Sequence, residues 1–88
     1  MFENDPDKSA ANFAKHGIDF EMAQMLWSDD RRVTGPTASD AEERWMVVGM
    51  IESKLWSAVV TYRDDVTRLI SVRRSRPKEA KQYDRQAN

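Results

Sequence analysis

Residues 44–74 have the pattern of three short strands in succession. The segments 45–51 and 55–62 are rich in β-branched and aromatic residues, and their length is that of strands rather than helices. Glu52-Ser53 and Asp64-Asp65 separate them from each other and from the third segment, residues 68–74. Connections this short cannot contain a crossover helix, so the pattern predicts an antiparallel three-stranded meander.

The third predicted strand carries three arginines among its apolar residues. Side chains alternate between the two faces of a strand, which places Arg68 with Ile70 and Val72 and places Arg73 on the opposite face. Neither face is then purely apolar. We therefore expect functional residues on this strand.

Two helices are predicted before the meander. Asp5 and Pro6 are a strong start signal for the first, and Gly17 provides a left-handed residue that ends it near His16. Asp19 caps the second helix, residues 20–28. The side of the first helix expected to approach the sheet is formed by Ala10, Ala11, Phe13 and Ala14.

Residues 29–43 contain charged and small polar residues with Gly35-Pro36, and they predict a long loop that is mobile or used in binding. After the meander, Pro77 opens a last helix that runs to about Arg85 and needs docking through Ala80 and Tyr83 to be stable. The predicted order is α-α-β-β-β-α. This is an α+β fold in which helices pack on an antiparallel three-stranded sheet.

Composition limits the possible classes of protein. A chain of 88 residues has room for one domain, predicted here as residues 1–88. The absence of cysteine excludes disulfides, thiolate metal sites and a cysteine nucleophile, and it fits a cytoplasmic protein. The N-terminal residues lack the layout of a signal peptide, and no apolar run approaches the roughly 20 residues that span a bilayer, so no membrane association is expected.

The net charge of −1 conceals an uneven distribution. Residues 63–85 contain eight basic and four acidic side chains, whereas the rest of the chain contains six basic and eleven acidic ones. A basic C-terminal third can attract a polyanion or an acidic partner. The alternative is that these charges form an ordinary solvated face.

Several motifs in this order resemble the BrnT family of toxins. They begin with Phe2-Glu3-x-Asp5-Pro6-x-Lys8 and Asn12-x-x-Lys15-His16-Gly17-x-x-Phe20-Glu21-x-Ala23. They continue with Glu43-Arg44 before a strand containing Gly49, then Thr61-Tyr62-Arg63, Arg68-x-Ile70-Ser71-x-Arg73 and Glu79-x-x-Gln82-Tyr83. The chain departs from the family pattern at Asn4, Val72 and Arg76, positions that affect packing and capping more than chemistry.

This resemblance implies a RelE-like fold and a metal-independent endoribonuclease of a type II toxin–antitoxin system, which would cleave RNA and inhibit translation. It requires no cofactor and no metal. The implied partner is a BrnA-like antitoxin with a ribbon-helix-helix domain, through which the complex would bind operator DNA. A non-catalytic module that binds protein or nucleic acid is the alternative.

The candidate catalytic residues follow from the chemistry of RNA cleavage, in which the 2′-hydroxyl attacks the adjacent phosphate. The protein must move protons and neutralise charge on the pentavalent phosphate, and the planar donors of arginine suit the second task. We predict Arg73 and Arg44 as transition-state stabilisers and His16 or Glu79 in proton transfer. The residues predicted to bind substrate are Arg68, Arg74, Lys8, Lys15 and Tyr83.

Each assignment has a structural alternative. His16 could interact only with the last carbonyls of its helix, and Asn12 could simply bind backbone. Arg44 and Arg68 could be cross-strand partners of acidic residues, namely Glu42, Glu43 or Asp64. Glu79 and Tyr83 could orient an arginine, and Tyr83 could instead stack on a base.

Overall fold

The computed structural model describes residues 1–37 and 43–87, which form a mixed sheet with helices on both of its faces. The strands are β1 (Phe2–Glu3), β2 (Val33–Pro36), β3 (Trp45–Ile51), β4 (Lys54–Arg63) and β5 (Val66–Arg74). The helices are α1 (Pro6–His16), α2 (Phe20–Ala23) and α3 (Pro77–Ala87), and a 3₁₀ turn, Gln24–Ser28, continues α2. None of the helices described is long and apolar enough to cross a membrane.

The sheet has five strands in the order β1-β5-β4-β3-β2. Strands β2 to β5 form the antiparallel part, which contains the predicted meander, while β1 pairs with β5 in parallel. The α+β class is therefore confirmed, and the prediction of a three-stranded antiparallel sheet in the order α-α-β-β-β-α is wrong. The two additional strands are too short for a period of two to be recognised, and both lie at the edges of the sheet.

Strand β2 lies in the segment predicted to be a loop. Pro36 is compatible with it because a proline without an N–H group is tolerated on an edge strand. The prediction of a loop for residues 29–43 is thus wrong for residues 33–36. Residues 38–42 lie outside the described part of the chain.

The ends of α1 follow the predicted signals, but its orientation does not. Asp5 Oδ1 accepts a hydrogen bond from the Asp7 N–H at 2.9 Å, and Gly17 has a φ of 78°. The residue buried against the sheet is Asn12, whereas the face expected there is exposed: Ala10, Ala11, Phe13 and Ala14. The prediction for that face is wrong because a polar contact determines which side of the helix is buried.

Asn12 joins α1 to the free edge of β5. Its amide nitrogen donates to Val72 O at 2.9 Å and to Ile18 O at 2.8 Å, and its Oδ1 accepts from Val72 N at 3.2 Å. The side chain thereby supplies the bonds that a further strand would make at this edge. The interpretation of Asn12 as a backbone-binding residue is confirmed.

The main core lies between the layer of α1 and α2 and one face of the sheet. Its buried members are Ile18, Phe20, Ala23 and Leu26 from the helical layer and Val47, Ile51, Ala58, Val60, Leu69 and Val72 from the strands. We call the opposite face of the sheet the outer face; it carries Ser57, Val59 and Thr61 of β4 and their partners on β5. Helix α3 and the candidate functional groups lie on the outer face.

An irregularity in β5 determines which arginines reach the outer face. The pairs Thr61↔Arg68 and Ser57↔Arg73 stand on either side of a register shift at Val59/Val60, where Ile70 is an extra residue. Thr61 and Ser57 are an even number of residues apart, so Arg68 and Arg73 lie on the same face. The prediction that they face opposite sides is wrong because simple alternation takes no account of a β-bulge.

Helix α3 packs on the outer face beside β2 and β3. Glu79 Oε1 accepts a hydrogen bond from Arg76 N at 2.9 Å, so the third helical residue caps the helix start. Tyr83 is buried, and its hydroxyl donates to Asp29 Oδ2 at 2.7 Å. Docking through Tyr83 is confirmed, and the helix extends to Ala87 rather than ending at Arg85.

Candidate nucleic-acid interface

A basic groove of about 460 Å³ opens on the outer face. Thr61 and Arg68 are cross-strand partners there, and Arg44 precedes Trp45, whose partner Val60 is adjacent to Thr61. This register aligns Arg44, Thr61 and Arg68 across three strands. The residues lining the groove are Glu3, Lys8, Glu43, Arg44, Thr61, Tyr62, Arg63, Val66, Arg68 and Ile70.

Arg68 is held at one side of this groove by β1. Glu3 is its partner in the parallel β1–β5 register, and the Glu3 carboxylate accepts a hydrogen bond from Arg68 Nη1. Both side chains are about half exposed. An ion pair with this exposure can be exchanged for contacts with a bound anion.

A second cluster surrounds Arg73 where β5 ends. Its Nη1 and Nη2 donate to the two carboxylate oxygens of Glu79, both at 2.8 Å. Nη1 also donates to Arg74 O at 3.1 Å. These bonds use three of the five guanidinium N–H groups, and the other two have no partner among the described residues. Arg73 is therefore fixed in orientation and retains donors for a ligand.

Glu79 receives one further hydrogen bond from the buried Ser57. The Ser57 hydroxyl donates to Glu79 Oε1 at 2.8 Å and shares a bond of 2.8 Å with the Ser75 hydroxyl. The bonds from Arg73 lower the pKa of Glu79 to about 2, although burial opposes this shift. A carboxylate with so low a pKa is a poor proton acceptor at neutral pH. The geometry favours Glu79 as the residue that orients Arg73.

The two clusters occupy one face of the sheet. Their partners Thr61 and Ser57 are four residue steps apart on β4, so Arg68 and Arg73 are separated by about 13 Å along the sheet. This length can accommodate more than one phosphate of a single-stranded nucleic acid. The bulge thus places on one face two arginines that simple alternation would have divided between two faces, and we call this pair the basic track.

Arg74 and Tyr83 are separated from this track. Arg74 is on the opposite face, where its guanidinium carbon lies 5.5 Å from the Trp56 ring centroid. Tyr83 is buried, and its ring has no exposed face on which a base can stack. The prediction that Tyr83 binds substrate therefore conflicts with its position, because the ring is required to anchor α3.

The predicted residues of α1 lie at different distances from the groove. Lys8 lines it, whereas His16 and Lys15 do not. Asn12 is hydrogen-bonded to Val72 and therefore lies beside it. His16 is about one helical turn further along α1, and one turn has about the same length as two residues of a strand. The spacing therefore predicts that His16 lies beside Arg74, two residues after Val72. No hydrogen bond or ion pair joins the His16 side chain to another described residue.

Two groups near the arginines were absent from our sequence predictions. Glu3 could have been found only if the two-residue strand β1 had been recognised. Ser57 is a single polar residue within an otherwise apolar strand segment. This isolated position is the signal that could have indicated a functional or structural hydrogen bond. Within the described residues, no group of three or more His, Asp or Glu is arranged to hold a metal ion.

The sequence model of one protein family matches residues 4–79 of the chain. That family is described as ribonuclease toxin, BrnT, of type II toxin-antitoxin system. No curated protein sequence matches the chain with significance. The match spans most of the 88 residues, including Arg44, Arg68, Arg73 and Glu79. The chain belongs to the BrnT family of ribonuclease toxins of type II toxin–antitoxin systems, and this membership implies RNA as substrate and a protein antitoxin as partner.

Proposed function

We propose that this chain is a metal-independent endoribonuclease that acts in the cytoplasm, cleaves RNA and thereby inhibits translation. The observation that carries the proposal is the bulge of β5, which places Arg68 and Arg73 on one face beside the groove that contains Arg44. A RelE-like relationship is part of the same proposal. It is supported by a sheet with four antiparallel strands that presents arginines on the face opposite its main helical layer.

The proposed chemistry is intramolecular attack of the RNA 2′-hydroxyl on the adjacent phosphate. Arginines can neutralise the charge that develops on the phosphate, a task that many nucleases assign to a metal ion. We assign Arg44 and Arg73 to the reacting phosphate or its immediate neighbour, and Arg68 and Lys8 to phosphate binding. Arg74 can contact RNA only beyond the end of the track, because it lies on the other face.

We propose that Glu79 acts through Arg73 rather than in proton transfer. Its four acceptor contacts come from Arg73, Ser57 and the Arg76 backbone. This network restricts the Arg73 guanidinium to one orientation before substrate arrives. Such preorganisation reduces the cost of arranging charges in the transition state.

His16 and Lys15 are proposed to contact the RNA near the Arg73 end of the track. Histidine is the side chain whose ordinary titration range suits proton transfer near neutral pH, and the chain contains one. Its replacement by alanine distinguishes two roles. A loss of cleavage rate of about 10²-fold or more would assign proton transfer to His16, and a small loss would restrict it to a supporting contact.

The partner is proposed to be a BrnA-like antitoxin with a ribbon-helix-helix domain, through which the complex binds operator DNA. We propose that the antitoxin neutralises the toxin by covering the groove or the Arg73 cluster. The excess of basic over acidic side chains in this part of the chain supports an acidic antitoxin segment there. A complex that cleaves RNA as fast as the free toxin would contradict this part of the proposal.

The function is tested by RNA cleavage with purified protein in excess EDTA. The wild type is expected to cut, and Arg73→Ala and Arg44→Ala are each expected to lose about 10²–10³-fold in rate. Lys54→Ala is the matched control, because it removes one exposed positive charge at the β3–β4 turn without touching the outer-face track. Its rate is expected to equal that of the wild type.

Two results would contradict the proposal. Wild-type protein that binds RNA but does not cut it would favour a binding module without catalysis. Arg73→Ala protein that keeps its rate but binds RNA with a shallower salt dependence would limit Arg73 to a phosphate contact.

A further inference from the structure

We infer that Glu3 is the general base of the reaction, accepting the proton of the RNA 2′-hydroxyl while Arg68 binds the adjacent phosphate. The inference rests on the proposed ribonuclease function and deepens it, because it places the reacting phosphate in the groove that contains Arg44 and assigns the neighbouring phosphate to Arg73. Glu3 lies one residue before the segment matched by the family.

The backbone of Glu3 has a fixed place on the sheet. It pairs with Arg68 in the parallel β1–β5 register, and Thr67 N donates to Met1 O at 2.8 Å. The Phe2 ring contacts the Trp27 ring edge-on, with centroids 4.9 Å apart. A catalytic group on a paired strand is positioned more accurately than one on a free chain terminus.

The Glu3 carboxylate has the contacts that a base in this position needs. One oxygen, Oε1, accepts from Arg68 Nη1, and the other has no hydrogen-bond partner among the described residues. Arg68 has further N–H groups that can bind a phosphate oxygen while this pair is maintained. One arginine can therefore hold a phosphate next to the carboxylate, as proton transfer from the 2′-hydroxyl requires.

The other carboxylates near the arginines are less suitable. Both oxygens of Glu79 are engaged by Arg73, and its pKa of about 2 makes it a weak base. Glu43 also lines the groove, but it precedes β3 and is not a member of a strand. His16 does not line the groove. Of the two carboxylates that line the groove, Glu3 is the one on a strand and beside an arginine, so it is the better candidate for the base.

The proposed step exchanges one phosphorus–oxygen bond for another. The Glu3 carboxylate takes the proton of the 2′-hydroxyl as the 2′-oxygen forms a bond to phosphorus. The bond between phosphorus and the 5′-oxygen breaks, and the departing 5′-oxygen takes a proton from water. The products are a 2′,3′-cyclic phosphate and a 5′-hydroxyl end, and Glu3 returns its proton to solvent.

The test is single-turnover cleavage of a messenger RNA transcript by Glu3→Gln protein, with affinity measured on the same sequence carrying 2′-O-methyl groups. Glutamine keeps the shape but cannot accept the proton. The cleavage rate is expected to fall about 10²–10⁴-fold. RNA affinity is expected to stay equal or to increase, since a negative charge beside the phosphate is removed. Glu21→Gln, an exposed carboxylate on α2, is the matched control and should keep the wild-type rate.

A second variant separates catalysis from structure. Glu3→Ala is expected to regain part of its cleavage rate when formate is added, because a small carboxylate can occupy the vacated space and serve as base. No recovery with formate would overturn the inference. So would wild-type cleavage by Glu3→Gln, or a loss of the same size in Glu43→Gln, which removes a charge from the same groove. In all of these outcomes the wild type still cuts RNA; a wild type that does not cut would instead overturn the proposed function.

Discussion

The outer face carries two arginine–glutamate pairs that differ in nearly every physical respect. In the Arg73–Glu79 pair the side chains are 24% and 13% exposed, two parallel hydrogen bonds join them, and Ser57 adds a third partner. In the Arg68–Glu3 pair the side chains are 47% and 50% exposed, and one hydrogen bond joins them. The first pair is mostly enclosed by protein, whereas the second is about half exposed to solvent.

This difference shows that one sheet can carry both an arginine with a fixed orientation and an arginine whose contacts can change when a ligand binds. Arg73 is oriented in advance by a network that also caps α3, so its position belongs to the fold. Arg68 is held by a weaker, solvent-screened pair, so phosphate can replace or extend its contacts.

The largest effect is expected from Glu79→Ala. The substitution leaves the Arg73 guanidinium and the Ser57 hydroxyl without their acceptor and removes the cap of α3, so the free energy of unfolding should fall by about 3–4 kcal/mol. Urea denaturation measures the difference from wild type. Glu3→Ala is the parallel variant in the exposed pair, and equal losses for the two variants would mean that the contrast is wrong.

The stability that the Arg73–Glu79 pair provides should depend on pH. Hydrogen bonds from Arg73 lower the pKa of Glu79 from 4.5 to about 2, so its contribution to stability is complete above about pH 4.5 and is lost as the pH falls towards 2. The full contribution corresponds to about 3 kcal/mol. Unfolding free energies of wild type and Glu79→Gln, measured between about pH 7 and about pH 3, should converge on the acid side. A constant difference would show that Glu79 stabilises the fold by packing rather than by charge.

A smaller effect is expected from Tyr83→Phe, which removes a contact one helical turn after Glu79. Asp29 Oδ2 keeps its bond from Met50 N at 2.8 Å, so the lost hydroxyl should cost about 1 kcal/mol. Hydrogen exchange should become faster in the last turns of α3 and remain slow near Glu79. A loss as large as that of Glu79→Ala would identify the Tyr83–Asp29 contact as the main anchor of the helix.

The smallest effect on stability is expected from Glu3→Gln. Because both partners are half exposed, the free energy of unfolding should change by less than about 1 kcal/mol, and added salt should remove the difference. Thermal unfolding at low and high ionic strength measures it. A loss that salt does not reduce would mean that Glu3 is part of the fold in the same way as Glu79.

Local patterns were sufficient to predict much of the secondary structure. The β-branched and aromatic content and the short length of the segments predicted β3, β4 and β5, and the caps Asp5 and Gly17 predicted α1, because both signals depend on neighbouring residues. The edge strands β1 and β2 escaped prediction because strands of two and four residues have no measurable period. The buried side of α1 was missed because it is determined by Asn12 and a backbone 60 residues away.

The sequence by itself determined which residue types were present for RNA chemistry: arginines on one strand, a single histidine, and motifs of the toxin family. Tertiary structure decided their arrangement. The bulge at Ile70, visible only in the pairing of β5 with β4, moved Arg68 onto the face of Arg73. The partners Glu3 and Glu79 reach these arginines from elements at opposite ends of the chain, since contacts in three dimensions are set by sheet order and packing rather than by separation in sequence.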